Sequence, residues 1–181
     1  MQDTGIVRRI DELGRVVIPK ELRKTLRIRE GDPLEIYTNK DELVLRKYSP
    51  ITVVGDHVQA VASGLNELFD KPCIITDTDH VIYASGSKSK EVIGKEITAD
   101  LEKVLKERKS VVISSGDGLK VVPVTKGEEF QTENQIIVPI ISGGDCYGSV
   151  TVFDTDKTAR FTQSDVKLVR LGASFLARQF E

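Results

Sequence analysis

Apolar and polar residues follow several different spacings along the chain, and each spacing predicts a different kind of element. In the first fifty residues, branched aliphatics alternate with arginines, then leucines recur four apart after Pro19, then alternation returns. Gly14 supplies a turn and Pro19 favours the start of a helix. The predicted elements are strands at 5–11 and 15–18, a helix at 20–27, and strands at 34–38 and 43–48. This order is a ββαββ unit.

The remainder of the chain alternates helical spacing with short apolar runs that are typical of buried strands. The predicted elements are helices at 54–69, at 97–108 and from Thr162 onward, and strands at 73–77, 81–85, 111–114, 121–124, 136–141 and 147–153. Thr162 with Asp165 predicts a capping box, and Phe161 is placed to pack on Val166. Helices flanking an antiparallel sheet give an α+β fold class.

The short segment around Pro50 divides the chain into two predicted domains, 1–50 and 53–181. A unit of about fifty residues is marginally stable unless disulfides, a metal or a partner chain support it. The first unit contains no cysteine and no histidine. It is therefore predicted to fold as a homodimer, with strands shared between the two chains.

Charge is distributed unevenly between these two parts of the 181-residue chain. Residues 1–30 carry eight basic and five acidic side chains, whereas residues 50–181 carry 15 basic and 19 acidic ones. This asymmetry indicates two modules with different partners. No apolar run approaches the length of about 20 residues that a membrane span needs, and no signal pattern opens the chain. The chain is expected to be cytoplasmic, without a membrane partner.

Catalytic and metal-binding patterns are not found, so the chain is predicted not to be an enzyme and to use no cofactor or metal. His57 lies on a polar helix face, and His80 lies in a turn with Asp77 and Asp79. Such turns commonly use Asp without a metal. The two cysteines, Cys73 and Cys146, are interpreted as ordinary buried thiols, although a bridge between them stays open.

The basic residues of the first unit permit two interpretations. They are an ordinary solvated face, with salt bridges to Asp11, Glu12 and Glu21, or they bind DNA. Two features favour DNA: folding gathers cations from two strands and a helix, and a two-fold dimer doubles them. Arginine also suits both phosphate oxygens and guanine edges. The candidate DNA-binding residues are Arg8, Arg9, Arg15, Arg23 and Lys24.

The segment TGIVRRIDELGRVVIPKELRKTLRIREGDPLEIY, and GRVVIPKELR within it above all, resembles the N-terminal domain of the AbrB family of bacterial transition-state regulators. The resemblance implies a swapped-hairpin β-barrel dimer that binds double-stranded DNA. It assigns the contacts chiefly to Arg8, Arg15 and Arg23, with Lys24 and Arg9 at neighbouring basic positions. Arg9 alternates with Arg8, so it is expected on the opposite face, in salt bridges of the barrel.

The length of the chain and its last helix resemble AbrB-family regulators that continue into a GAF domain. This resemblance implies a homotetramer joined through the GAF helices, and transcriptional control of genes in the developing forespore. GAF domains often bind small molecules, although no pattern here identifies a ligand. The candidate pocket residues are Tyr83, Ser85, Phe130 and Tyr147.

Two other functions stay open at this point. One is an antitoxin-like or scaffold protein that binds a protein partner through its acidic C-terminal domain. The strong periodicity of that domain argues against the extended tail that antitoxins usually use. The other is a GAF-type redox enzyme that uses Cys73 or Cys146.

Overall fold

The computed structural model describes residues 5–86, 89–127 and 132–180, without the side chains of residues 89 and 90. The chain divides into two compact units, Met1–Tyr48 and Ser49–Glu181. The division falls just before the segment 50–53, where the sequence places the domain boundary. The predicted pocket residue Phe130 lies outside the described residues.

The described residues of the first unit, from residue 5 onward, form one helix and one hairpin. Its elements are helix α1 (Lys20–Thr25) and strands β1 (Leu34–Asn39) and β2 (Glu42–Lys47). The strands pair antiparallel from Leu34 with Lys47 to Asn39 with Glu42. Pro19 precedes α1 as its N-cap, with the fixed φ that prepares a helix start. These three elements confirm the prediction from the sequence.

The two strands predicted at 5–11 and 15–18 are not formed. Residues 5–18, all of them described, are extended around a turn in which Gly14 has a φ of 76°. A strand exists only where a neighbouring strand accepts and donates its backbone hydrogen bonds, and β1 and β2 pair with each other. The local sequence pattern is that of strands, but neither segment pairs with β1, with β2 or with the other segment in the described chain.

The second unit is a five-stranded antiparallel sheet between two layers of helix. Its helices are α2 (Pro50–Val53), α3 (Gly55–Phe69), α4 (Ala99–Glu107) and α5 (Gln163–Ala177), with short 3₁₀ turns at Ser89–Val92 and Arg178–Phe180. Its strands are β3 (Cys73–Thr76), β4 (Val81–Ser85), β5 (Val111–Ile113), β6 (Asn134–Ser142) and β7 (Asp145–Asp154). The strand order is β4-β3-β7-β6-β5.

Both faces of this sheet are covered, which explains its continuous apolar strands. Ile75, Val150 and Val152 pack under α3 and α5. Ile74, Ile137 and Phe153, from alternate positions, pack under α4. Burial on both faces favours runs such as Ile136–Ile141 over strict alternation.

The predicted capping box at the start of α5 is confirmed. The Thr162 hydroxyl accepts the Asp165 N–H, and the Asp165 carboxylate accepts the Thr162 N–H at 2.6 Å. Phe161 packs against the same core cluster as Val166. Two of the four orphan N–H groups at the start of the helix are thereby satisfied.

The strand predicted at 121–124 is wrong. Pro123 has no N–H for a ladder, and the neighbouring hydrogen bonds come from elsewhere. The side-chain amide of Gln135 accepts the Val122 N–H at 2.9 Å and donates to the Val122 carbonyl at 2.8 Å. The Thr98 N–H donates to the Val124 carbonyl. We call residues 121–125 the strap. It is held by Gln135 of β6 and by Thr98 at the start of α4.

Candidate nucleic-acid interface

The five candidate DNA-binding residues all have exposed side chains. Arg8 and Arg9 precede the turn at Gly14, Arg15 follows it, and Arg23 and Lys24 occupy the last turn of α1. Within the part of the chain that the structure describes, Arg15 is the one member of this set that forms an ion pair. Of the salt bridges that the solvated-face interpretation expects, the described residues show one, between Arg15 and Asp11. The salt bridge expected for Arg9 is not found among them.

The turn from Asp11 to Arg15 is built around the Asp11 carboxylate. One carboxylate oxygen, Oδ1, accepts the N–H groups of Leu13 at 3.0 Å and Arg15 at 2.8 Å. The other, Oδ2, accepts Arg15 Nε at 2.8 Å. The backbone closes the turn, since Asp11 N–H donates to the Arg15 carbonyl and Gly14 N–H donates to the Asp11 carbonyl, both at 3.0 Å.

These hydrogen bonds lower the pKa of Asp11 below its usual value, the backbone bond from Arg15 most of all and then the bond from its side chain. Asp11 is accordingly a carboxylate at neutral pH. Charge pattern alone identifies Asp11 only as a general ion-pair partner and misses this turn. A D-x-L-G-R spacing, which combines an acceptor side chain with a glycine that tolerates positive φ, is the signal that identifies it.

An apolar groove of about 210 Å³ lies beside the cations. Its lining combines the extended segment, α1 and the hairpin: Ile6, Arg8, Val16, Val17, Ile18, Pro19, Leu22, Leu26, Ile28 and Leu45. Aliphatic side chains in and beside this lining are highly exposed: Val17, in the lining, is 74% exposed, and Val7, beside it, is 85% exposed. Clustered exposed aliphatics of this kind mark a surface that another molecule covers. The lining includes aliphatics of the two predicted strands and the predicted helix: Ile6, Val16, Val17, Ile18, Leu22 and Leu26.

Three of the candidate GAF pocket residues, Tyr83, Ser85 and Tyr147, lie on the sheet face that is packed by α3 and α5. Tyr83 and Tyr147 contact that core cluster, and Ser85 donates to Asn66 of α3 at 3.2 Å. The Tyr147 ring stacks at 4.7 Å on Phe180, next to the end of α5. These three half-buried side chains lie where the sheet meets the helices.

The thiols lack the features of reactive cysteines. Both are free, and Cys73 is fully buried. Burial raises the pKa of Cys73 to about 12 and also raises that of Cys146. A thiol is a nucleophile only as its thiolate, so both are poorly suited to redox chemistry at neutral pH.

Both histidines have contacts within the second unit. His57 packs edge-on against Phe175, and His80 donates its backbone N–H to Asp77 in a tight turn. The described residues contain no group of three or more metal-ligating side chains. Nor does any described helix combine the length and the apolarity that crossing a membrane requires.

Comparison with known proteins defines the class first. Residues 53–181 match the family of the stage V sporulation protein T C-terminal, transcription factor, and residues 7–52 match the antidote-toxin recognition MazE, bacterial antitoxin family. The transition state regulatory protein AbrB of Bacillus subtilis (strain 168) is 62% identical over 50 residues, which are 28% of this chain and 52% of AbrB. The chain is thus a transcription factor with an AbrB-type N-terminal domain.

The family is identified by a relative that matches the whole length of the chain. Stage V sporulation protein T of Bacillus subtilis (strain 168) is 44% identical over 182 residues, covering 100% of this chain and 99% of that protein. The chain belongs to the stage V sporulation protein T family. The GAF-B domain of DevS from Mycobacterium smegmatis shares the C-terminal fold, with a TM-score of 0.53 at 12% identity over 69% of this chain and 90% of that one. The predicted fold class and family resemblance are confirmed.

Proposed function

We propose that the chain binds double-stranded DNA as a homo-oligomer and regulates transcription of sporulation genes in the forespore. The observation that carries the proposal is the group of exposed cations beside an uncovered apolar groove in the first unit. The family membership supports the regulatory role. Arg8, Arg9, Arg15, Arg23 and Lys24 are the proposed DNA-binding residues.

The charge of these side chains is available to DNA. Arg8, Arg9, Arg23 and Lys24 form no ion pair within the described ranges 5–86, 89–127 and 132–180. Cations that neutralise phosphates release condensed counterions, so the affinity falls steeply as salt rises. Arginine forks can in addition bind guanine O6 and N7 in the major groove.

A second copy of the chain is the proposed cover of the apolar groove. Residues 6–18 have the sequence of two strands but pair with no strand of the described chain, and their aliphatics other than half-buried Ile18 are exposed. An interleaved dimer would supply both the missing backbone hydrogen bonds and the missing apolar contacts. It would also place two sets of cations on one particle, in agreement with the AbrB-like dimer of the proposal.

A second self-association surface is proposed on the outer face of α3 and α5. Leu68 of α3 and Leu171 and Phe175 of α5 are exposed, although they continue the apolar stripes of their helices. Pairing of such faces would join two dimers into a tetramer. Two DNA-binding units on one tetramer would add avidity on suitably spaced sites. The C-terminal unit would then serve assembly, and no ligand is proposed at Tyr83, Ser85 or Tyr147.

The first test compares Arg8→Ala and Arg23→Ala with the unchanged protein by gel-shift titration on duplexes that the unchanged protein selects from a random pool. Each variant is expected to bind more weakly, and the slope of log affinity against log salt should flatten by about 0.9 for every phosphate contact removed. The melting temperature of Arg23→Ala should stay near that of the unchanged protein, because its side chain is exposed and lies outside the groove lining, of which Arg8 is a part.

Lys103→Ala is the matched control, since Lys103 is an exposed cation of the second unit that pairs with Glu107. Its affinity and salt slope should be unchanged. Full affinity in both arginine variants would refute the proposed interface.

The antitoxin-like or scaffold role is the second candidate, favoured by the match of residues 7–52 to an antitoxin family. Against it, the second unit is a compact sheet and helix domain rather than an extended segment. A stable complex with a toxin on pull-down from the native host, with toxin activity suppressed, would favour this candidate.

A further inference from the structure

Arg15 differs from the other four cations of the proposed interface in its surroundings. Its Nε donates to Asp11 Oδ2 at 2.8 Å, and its backbone N–H donates to Asp11 Oδ1. No other ion pair or hydrogen bond of its side chain occurs among the described residues, and the side chain remains 72% exposed. The two terminal nitrogens, Nη1 and Nη2, are therefore open to a ligand, while Nε is held.

The hydrogen bond between Arg15 Nε and Asp11 Oδ2 has a fixed direction, because the turn holds the Asp11 carboxylate in place. Asp11 Oδ1 is engaged by the N–H groups of Leu13 and Arg15, and Gly14 supplies the positive φ of 76° that closes the turn. The guanidinium is thus oriented before any ligand arrives. A preoriented fork loses less conformational freedom on binding than a free arginine does.

The carboxylate also changes which ligand the fork suits. Asp11 and Arg15 together are close to neutral, so the pair attracts phosphate weakly, and Asp11 repels a phosphate that approaches closely. A guanine edge carries no net charge and presents O6 and N7 to two parallel N–H groups. Arg8, Arg23 and Lys24, which have no ion-pair partner within the described ranges, keep the full charge that phosphates attract.

We propose that Arg15 reads a guanine edge rather than a phosphate, and that Asp11 is the positioning residue that holds its fork for this contact. The inference rests on the proposed DNA-binding function and assigns separate roles within that interface. Arg15 supplies sequence specificity, whereas Arg8, Arg23 and Lys24 supply affinity from phosphates.

The test is selection of full-length protein against a random duplex pool, followed by affinity measurements on selected and unselected duplexes at several salt concentrations. The variants are Arg15→Lys, Arg15→Ala, Asp11→Asn and Arg23→Ala. Arg15→Lys keeps the charge but loses the fork, so discrimination for guanine at one position of the selected site should fall about fivefold to 150-fold. Its affinity for unselected DNA should be unchanged or higher, since lysine is a good phosphate ligand.

Asp11→Asn gives the sharper result, because its two expected effects have opposite signs. The asparagine oxygen can still accept the N–H groups of Leu13 and Arg15, which preserves the turn, but the fork is no longer held by a charge. Guanine discrimination should fall, while affinity for unselected DNA should rise, and its salt slope should steepen by about 0.9 for each Arg15 freed to bind phosphate. Arg23→Ala should differ in both respects: it should flatten the salt slope, and it should leave the selected sequence unchanged.

Three results would overturn the inference. If Arg15→Lys and Asp11→Asn both select the same sequence with undiminished discrimination, Arg15 does not read a base, although DNA binding stands. If Arg15→Ala weakens binding to every duplex equally and flattens the slope as Arg23→Ala does, Arg15 is a phosphate contact. If the unchanged protein selects no duplex and shows no salt-dependent binding, the proposed function itself fails, and this assignment fails with it.

Discussion

Gly148 shows how closely two strands approach inside the second unit. It lies in β7 beside a bulge at Ile140–Ile141 and has a φ of 151°. A Cβ at this position would meet the carbonyl group of Thr76 in β3 and, at 2.9 Å, the Cα of Asp77. Backbone atoms at the centre of a sheet cannot move aside as a flexible side chain can.

Gly148→Ala is therefore expected to destabilise the protein. Backbone strain of this kind costs about 1–3 kcal/mol, and the overlap with Thr76 adds to it. Chemical denaturation measures the loss. Gly55→Ala is the control, because Gly55 begins α3 and a Cβ added there would have no atom within 4 Å, so this variant should unfold like the unchanged protein. Equal stability of both variants would show that β3 and β7 are not so close.

The strap illustrates an element that is held by side chains instead of a β ladder. Gln135 is only 2% exposed, and its amide bonds both backbone groups of Val122. Thr98 binds the strap from the other side through its hydroxyl, which donates to the Pro123 carbonyl at 2.5 Å. Val124, buried in the core under α4, anchors the same segment.

Gln135→Met should detach the strap while nearly preserving the volume of the side chain. Two part-buried backbone groups would lose their partners, at a cost of at most about 1–3 kcal/mol each. We expect a lower urea midpoint and faster amide hydrogen exchange over residues 119–126. Gln163→Met, at the exposed start of α5, is the control and should change neither quantity. Unchanged exchange over the strap in Gln135→Met would contradict its role.

Elements with local signals were predictable from the sequence, and elements that depend on distant partners were not. The capping box of α5 and the hairpin of β1 and β2 are encoded within a few residues, and both formed as predicted. The strap escaped prediction because its partner, Gln135, lies 13 residues from Val122. Residues 5–18 carry a strand pattern, but they pair with neither β1 nor β2 in the described chain.

The candidate DNA-binding site was likewise predictable from the sequence in part. Residue type and exposure of the five cations follow from the pattern, since charged side chains of a small unit face water. The separate roles that we propose for Arg15 and for the other cations do not follow from the sequence pattern. The hold of Asp11 on Arg15 depends on the geometry of one turn, and the placement of Tyr83 and Tyr147 depends on which sheet face α3 and α5 cover.

At the scale of the whole molecule, each unit presents its own uncovered apolar surface. In the first unit this is the groove between the extended segment, α1 and the hairpin. In the second unit it is the outer face of α3 and α5, where Leu171 is 66% exposed. The two surfaces belong to separately folded units, so they can be tested separately.

Leu171→Glu should break the association proposed for the second unit and leave the dimer proposed for the first unit intact. A charge in an apolar interface must be desolvated without a partner, which opposes pairing. Light scattering coupled to size-exclusion chromatography should show four chains in the unchanged protein and two in the variant. Gln163→Glu, an exposed change of the same charge on α5, should keep four chains. Four chains in Leu171→Glu would rule out this face.

The uncovered groove of the first unit has a consequence for the amount of protein that a cell must hold. A fold completed only by a second copy obeys mass action, so its stability rises with the concentration of the chain. Dilution would favour the incomplete, protease-sensitive form, and accumulation would favour the complete one. The response of a promoter to such a regulator would therefore be steeper than proportional to the number of molecules present. Synthesis rate alone would then set a threshold, with no signal molecule required.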